Sequence, residues 1–493
     1  MKIQSWIFAG ALASSCLAAG AQEKPAADKA AAAQTVRENT VKRAQALTEE
    51  QIKESHDVPA LSKLAQLYAA QNDTQRFIWA LRRITELMPN SGDLRLQLAM
   101  AYAKVDDKSS AYDTLMHMQI QGFGYDIGKD PRFEPIHGTK VWDYLVANLQ
   151  VNAKQFGEGK PAFELAKGDH LYDALAWDAK RKRFLVGGAR EGKVQLADAS
   201  GKLTDFISTD AHNGLWGIDA LGVDAAHGKL YVASSATAIY KGFNADNAGQ
   251  AGIFEFELGS GKFVKKYTFA KPDGAHRLTA LAVGKDGQVF AADSARKQVF
   301  KLDGGSLKEI LSNPKLTSIS ALALSDDGRT LYLADFALGV FGYDLTKGQA
   351  FEPRHNAANL VLGGIVGMHW YDGTLVIVEN GMVPKRVMRL QLSADGRNIE
   401  GAMPLDAAQP AFEALGPGTV ADDKLYFFTN REDALYDSHG VLTQPDKLEP
   451  ARVFASNLRF AWGEKGVGSA LAPLAVDDGS LLKAQENAAA EKH

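Results

Sequence analysis

The sequence predicts a multidomain chain: an N-terminal all-α repeat region, then an all-β six-bladed propeller. Three observations carry this. Two early segments repeat helical periodicity at a spacing of 34 residues. Six later segments repeat strand, Gly/Asp turn, strand, with starts 41 to 60 residues apart. Between Pro161 and Gly468, few stretches keep a helical period long enough for the crossover helices of a parallel α/β fold.

The first 21 residues, "MKIQSWIFAGALASSCLAAGA", pair Lys2 with a short apolar run and an Ala19-Gly20-Ala21 ending. This is the pattern of a cleaved secretory leader, and the run is too short to span a bilayer. The expected location is therefore periplasmic or secreted. The only cysteine, Cys16, lies in this leader, so the mature chain is expected to have no thiol chemistry. Lipid anchoring at Cys16 is the minority alternative, because "ASSC" lacks the usual leucine three residues earlier. Residues 22–34 are Ala-rich without an apolar face and read as a flexible tether.

Residues 35–156 read as the helical domain. Leu64 and Leu98, Ala65 and Ala99, Tyr68 and Tyr102, Leu81 and Leu115 are each 34 positions apart. Each unit holds two apolar-periodic segments broken by a polar turn, "QND" or "VDD". These units resemble the tetratricopeptide repeat, which implies a groove for a protein partner or a cap on the next domain. In "DPRFEPIHGTKVWDYL" a closing helix is expected, with Phe133, Trp142 and Leu145 on its buried face.

Residues 161–468 read as the propeller, and 469–493 as a tail, disordered in part. The six repeats begin at Asp173, Asp219, Thr279, Ser320, Val366 and Pro417. Innermost strands pack on both faces and so read as apolar runs with small residues. The turns "KDG", "DDG", "YDG" and "ADD" supply the residues that tight turns need. "PAFELA" at 161–166 is expected to form the outer strand of the last blade and close the ring, removing an exposed edge.

A propeller gathers its inner-strand ends around one mouth. One set of candidates is the six repeat starts. The other is Gly188, Ser234, Asp293, Asp335, Glu379 with Asn380, and Asn430. The binding candidates are thus Asp173, Asp219, Asp293, Asp335, Glu379, Asn380 and Asn430. Clustered carboxylates raise one another's proton affinity unless a cation neutralises them, and oxygen-only ligands suit Ca²⁺ or another divalent ion. For Asp293, Asp335 and Asn430 the competing expectation is a structural one: a strand-ending Asp accepts backbone N–H bonds. His170, His212, His276 and His369 fall near blade starts but at no zinc spacing. Trp216, Trp370 and Tyr371 read either as stacking platforms or as filling between blades.

The segments "LYDALAWDAKRKRFLVGGAREGKV" and "SALALSDDGRTLYLADF" resemble phrases of the six-bladed senescence-marker-protein/gluconolactonase and strictosidine-synthase-like superfamily, over roughly 300 residues. The resemblance implies a divalent metal held by a Glu, an Asn and an Asp on inner strands. Carried over, those places are Asp173, Ser320 and Val366. Asp173 is the one residue of the three that still reads as a metal ligand; Ser320 is a weak donor and Val366 none.

A net charge of −4 and the lack of a basic block argue against nucleic acid as a partner. The expectation is an exported binding or scaffold protein without catalysis. Its propeller mouth takes a ligand or protein, and its helical arm meets a protein partner. The alternative is a divergent metal-dependent lactonase or esterase, with Asp173 as ligand and Asp219 or Glu379 as partner or general base.

Overall fold

The computed structural model describes Ala44, residues 46–269 and residues 274–459. The expected leader 1–21 with Cys16, the tether 22–34 and the tail 469–493 lie outside the described residues. The chain divides into two compact units between Arg83 and Ile84.

In the first unit, Thr48 caps the helix Glu49–Glu54 through a reciprocal pair with Gln51. Asp57 caps Val58–Ala70 by accepting from the Ala60 N–H. Leu61, Ala65 and Tyr68 form that helix's buried stripe, and the Tyr68 hydroxyl donates to the Ala44 carbonyl at 2.7 Å.

The second unit begins within the helix Thr74–Leu87. Helices Gly92–Lys104, Lys108–Ile120 and Lys140–Asn152 follow, the last two capped by Asp107 and Thr139. Phe133, Trp142 and Leu145 are buried as expected. These helices do not stand apart from the propeller. Val361 and Met382 complete their hydrophobic core. Asn90 and Gln121 donate to the carbonyls of Ala337 and Ala357, and the Gly124 N–H to that of Val383. The helical layer therefore covers the loop face of blades four and five.

The propeller consists of six antiparallel sheets. Blade one holds strands Tyr172–Asp178, Arg183–Gly188, Lys193–Ala197 and Leu203–Ser208. Blades two to five open with Gly217–Asp224, Leu278–Val283, Ile319–Leu324 and Ile365–Tyr371, and blade six with Gly418–Ala421. These first strands neighbour one another in a closed circle and so line the axis. The expected turns take left-handed backbone: Gly287, Gly328 and Gly373 have φ of 75°, 65° and 72°.

The ring is closed from its own N-terminal side. Phe156–Gly157 pairs with the outer strand Ile399–Ala407 of blade five. Lys160–Leu165 then pairs with Ala451–Asn457, the third strand of blade six, and so becomes that blade's outer strand. Asp406 fastens the crossing. It accepts from the Gly159 N–H at 2.9 Å, from Gln409 at 3.2 Å and from the Ser456 hydroxyl. Burial still pushes its carboxyl up to about 6.

Candidate functional site at the axial mouth

Five of the six repeat starts share one backbone feature. Asp173, Asp219, Thr279, Ser320 and Val366 are each the extra residue of a β-bulge in the innermost strand. A bulge leaves its residue out of the pairing ladder and re-aims its side chain. At blades three and four this ties neighbouring blades together: Thr279 donates to the Ile319 carbonyl at 2.9 Å, and Ser320 to the Ile365 carbonyl at 2.6 Å. At blades one and two the same position carries a buried carboxylate, Asp173 or Asp219.

Those two carboxylates meet two guanidiniums. Arg431, from the long loop after the second strand of blade six, pairs with Asp173 at 2.8 Å and with Asp433 at 2.6 Å. Arg277, from the loop before blade three, reaches Asp219 at 3.4 Å and Asp173 at 3.9 Å. Its side chain is 43% exposed. Burial pushes Asp219 up to about 6 against the pull of Arg277, and pushes Asp173 up against Arg431, with Asp433 adding to the rise. Asp219 chiefly, then Asp173, raises Arg277. Arg431 is raised as well, since Asp173 and Asp433 outweigh its burial.

Two polar atoms of this cluster, Asp219 Oδ2 and Arg431 Nε, are buried with no hydrogen-bond partner among the described residues, and so is the Tyr172 hydroxyl on the neighbouring cleft. Beside them a cleft opens between blades six and one, lined by Gly168, Tyr172, Phe428, Asn430, Arg431 and Glu432, among others. Its rim is braced by a second network. Arg190 grips Asp169 through two nitrogens, at 2.8 and 3.0 Å, and donates to the carbonyls of Ile239 and Gly440. Tyr436 donates to Asp169, while Lys241 and His170 pair with Glu191.

The second set of candidates is taken up largely by backbone hydrogen bonds, with Asn430 also lining the cleft. Asp335 accepts from the N–H groups of Thr317, Ser318, Ala337 and Leu338 and from the Thr317 hydroxyl. Asp293 accepts from the N–H groups of Arg277, Ala295 and Arg296 and faces His276 Nδ1 at 2.6 Å. Asn430 bridges the Arg452 N–H and the Pro450 carbonyl. Asn380 accepts from the Leu415 N–H. Glu379 is buried against Arg386 at 2.5 Å, beneath the helical layer. Each of these side chains is engaged by its own blade or an adjacent loop, although the second Glu379 oxygen, Oε1, is buried with no hydrogen-bond partner among the described residues.

The remaining histidines and aromatics are placed singly. His276 stacks on Phe269. Burial pushes His369 down to about 4, which keeps it neutral at physiological pH. His212 lies on the exposed turn after Asp210. Trp216 and Trp370 pack on Phe254 and Tyr332, and Tyr371 donates to Asp423.

Arg277 and Arg431 escaped the sequence reading. Arg431 directly follows the candidate Asn430, and Arg277 stands two residues before Thr279. A search for basic residues within two positions of each inner-strand end would have found both.

The donor set around Asp173 does not fit a divalent cation. Positive charge already reaches it from two arginines, Ser320 spends its hydroxyl on the next blade, and Val366 has no donor. Among the described residues, no group of three or more His, Cys, Asp or Glu side chains converges as a metal-binding set.

No protein-family model matches the chain, and no curated protein matches it. Solved structures do. The PQQ-bound aldose sugar dehydrogenase of Streptomyces coelicolor is 14% identical over 62% of this chain and 98% of its own, with a TM-score of 0.41. Virginiamycin B lyase of Staphylococcus aureus is 15% identical over 55% and 82%, with a TM-score of 0.38. A luciferin-regenerating enzyme is 14% identical over 62% and 96%, with a TM-score of 0.39. These similarities say nothing about activity. The sheet order defines a six-bladed β-propeller preceded by a helical region, with a charged mouth at one end of its axis.

Proposed function

We propose that the chain is an exported small-ligand-binding protein whose site is the propeller mouth at Asp173, Asp219, Arg277 and Arg431. The carrying observation is the pair of unpartnered buried polar atoms on this charge cluster, Asp219 Oδ2 and Arg431 Nε. A buried polar group without a partner costs about 1–3 kcal/mol, so two together favour a bound polar molecule or ordered water that completes them. The half-exposed Arg277 gives such a molecule a way in. In this reading the helices from Gly92 to Asn152 serve as a cap over blades four and five, and the mouth at blades six, one and two is left for the ligand.

Thermal unfolding of the mature chain against a panel of neutral, anionic and cationic small polar molecules tests the proposal. At least one class should raise the melting temperature of the unaltered chain and not of the Asp219→Asn, Arg431→Gln double variant. Indifference to every class would refute it.

One observation favours the hydrolase alternative. A carboxyl titrating at about 6, beside a guanidinium, is suited to general acid–base work. Turnover of a lactone or ester panel that is abolished in Asp219→Asn would support catalysis. No turnover by the unaltered chain would leave the binding reading alone.

A further inference from the structure

The four mouth residues and Asp433 are unequal in charge. Asp173, Asp219 and Asp433 oppose Arg277 and Arg431, three carboxylates to two guanidiniums. The two arginines are also held differently. Arg431 makes contacts of 2.8 and 2.6 Å and is 17% exposed. Arg277 makes contacts of 3.4 and 3.9 Å and is 43% exposed. A guanidinium at full strength binds a carboxylate at about 2.7–2.9 Å, usually through two parallel bonds. Arg277 thus sits in front of the Asp173–Asp219 pair without fully engaging it. Behind it, Asp219 has a side chain 5% exposed and one oxygen with no partner.

We infer that Arg277 is a displaceable occupant of an organic-cation site, and that the ligand of the mouth is a small alkylguanidinium or alkylammonium ion that takes its place against Asp173 and Asp219. The inference rests on the reading of the mouth as a binding site and names its ligand class. The charge count decides between classes. A cation entering as Arg277 swings into solvent leaves the local charge balance unchanged and supplies the short contacts that Arg277 lacks. An anion docking on Arg277 would meet the surplus carboxylate. The partner of the free Asp219 oxygen must also be a donor, which a carboxylate ligand is not and an ammonium or guanidinium is; the Arg431 Nε–H, itself a donor, is left to ordered water.

The test uses the whole mature chain. Butylguanidinium, butylammonium and butyrate are titrated calorimetrically, at constant ionic strength, into the unaltered protein, Arg277→Ala and Arg277→Ala/Asp219→Asn. Removing the internal competitor should tighten both cations by about tenfold or more, and the second substitution should abolish that gain. Arg277→Gln carries the same expectation, so a poorly folding alanine variant leaves the idea refutable. If a folded Arg277 variant gains nothing for either cation, the inference is overturned. Butyrate binding to the unaltered protein would overturn the ligand class while leaving the mouth a binding site. Binding of none of the three to any variant would overturn the inference too, and the broader ligand panel would then decide the binding reading separately.

Discussion

Asp335 and Asp173 are the same residue type at inner-strand ends of blades four and one, yet they are stabilised in opposite ways. Asp335 collects four backbone N–H donors and a hydroxyl from the turns on either side of it. Asp173 is also buried but is answered by side-chain charge from distant loops, Arg431 at 2.8 Å and Arg277 at 3.9 Å. Backbone donors belong to the fold and cannot leave without unfolding a turn. Side-chain guanidiniums can be displaced, exchanged or removed by substitution. At Asp335 the first kind of partner builds the blade, and at Asp173 the second kind leaves the carboxylate open to exchange.

The largest effect expected from this contrast is at Asp335. Its replacement by Ala strands several buried N–H groups and should cost about 4 kcal/mol of unfolding free energy, measured by denaturant titration. Asp173→Ala should cost about half as much, about 2 kcal/mol for a lost charge-assisted hydrogen bond, since Arg431 keeps Asp433. Equal losses at the two positions would erase the distinction.

The next effect is one of pH. Asp219 is pushed up to about 6 in the fold from an ordinary value of 3.8. The folded state therefore binds more protons than the unfolded one between those values, and the stability this group lends is present below about 4 and lost as pH rises toward 6. The loss amounts to about 2–3 kcal/mol at 1.36 kcal/mol per pKa unit. Unfolding curves of the unaltered chain and Asp219→Asn should diverge by that amount across the window, with the variant the less pH-sensitive. Asp406, also at about 6, contributes a slope of the same sign to both and cancels in the difference. Parallel curves would show that the Asp219 carboxyl is not desolvated.

The smallest effect belongs to charge pairs that neither build blades nor face the mouth. Lys285 and Asp326 meet at 2.9 Å with side chains 72% and 52% exposed. Lys285→Ala should change stability by less than about 0.5 kcal/mol, a baseline for the other substitutions.

Much of this architecture was legible because it is local. The blade starts could be read from apolar runs and Gly/Asp turns, and each of the first five proved to be a bulge residue. "PAFELA" was legible as the closing strand because a ring of antiparallel blades must hide its last edge. The seating of the helices was less so. Their covering of blades four and five depends on Val361 and Met382, in loops whose short apolar stretches resemble core anywhere. The electrostatics of the mouth were hidden for a related reason. Asp173 and Asp219 sit at a repeating position and so could be marked, whereas Arg277 stands where blade four has Ser318, so the position gives no sign of a charge. That an Asp ends a strand did not tell whether its partners would be N–H groups, as at Asp293 and Asp335, or guanidiniums. Only the loop path decides that.

The central claim is that the mouth carboxylates are neutralised by the chain's own arginines and not by a metal ion. Calorimetric titration of the chelator-stripped, mature protein with Ca²⁺, Mg²⁺, Mn²⁺ and Zn²⁺ tests it most directly. The account predicts no saturable binding into the millimolar range. One-to-one binding that is tight in the unaltered chain and lost in Asp173→Ala would contradict it and return the mouth to the metal-dependent hydrolases.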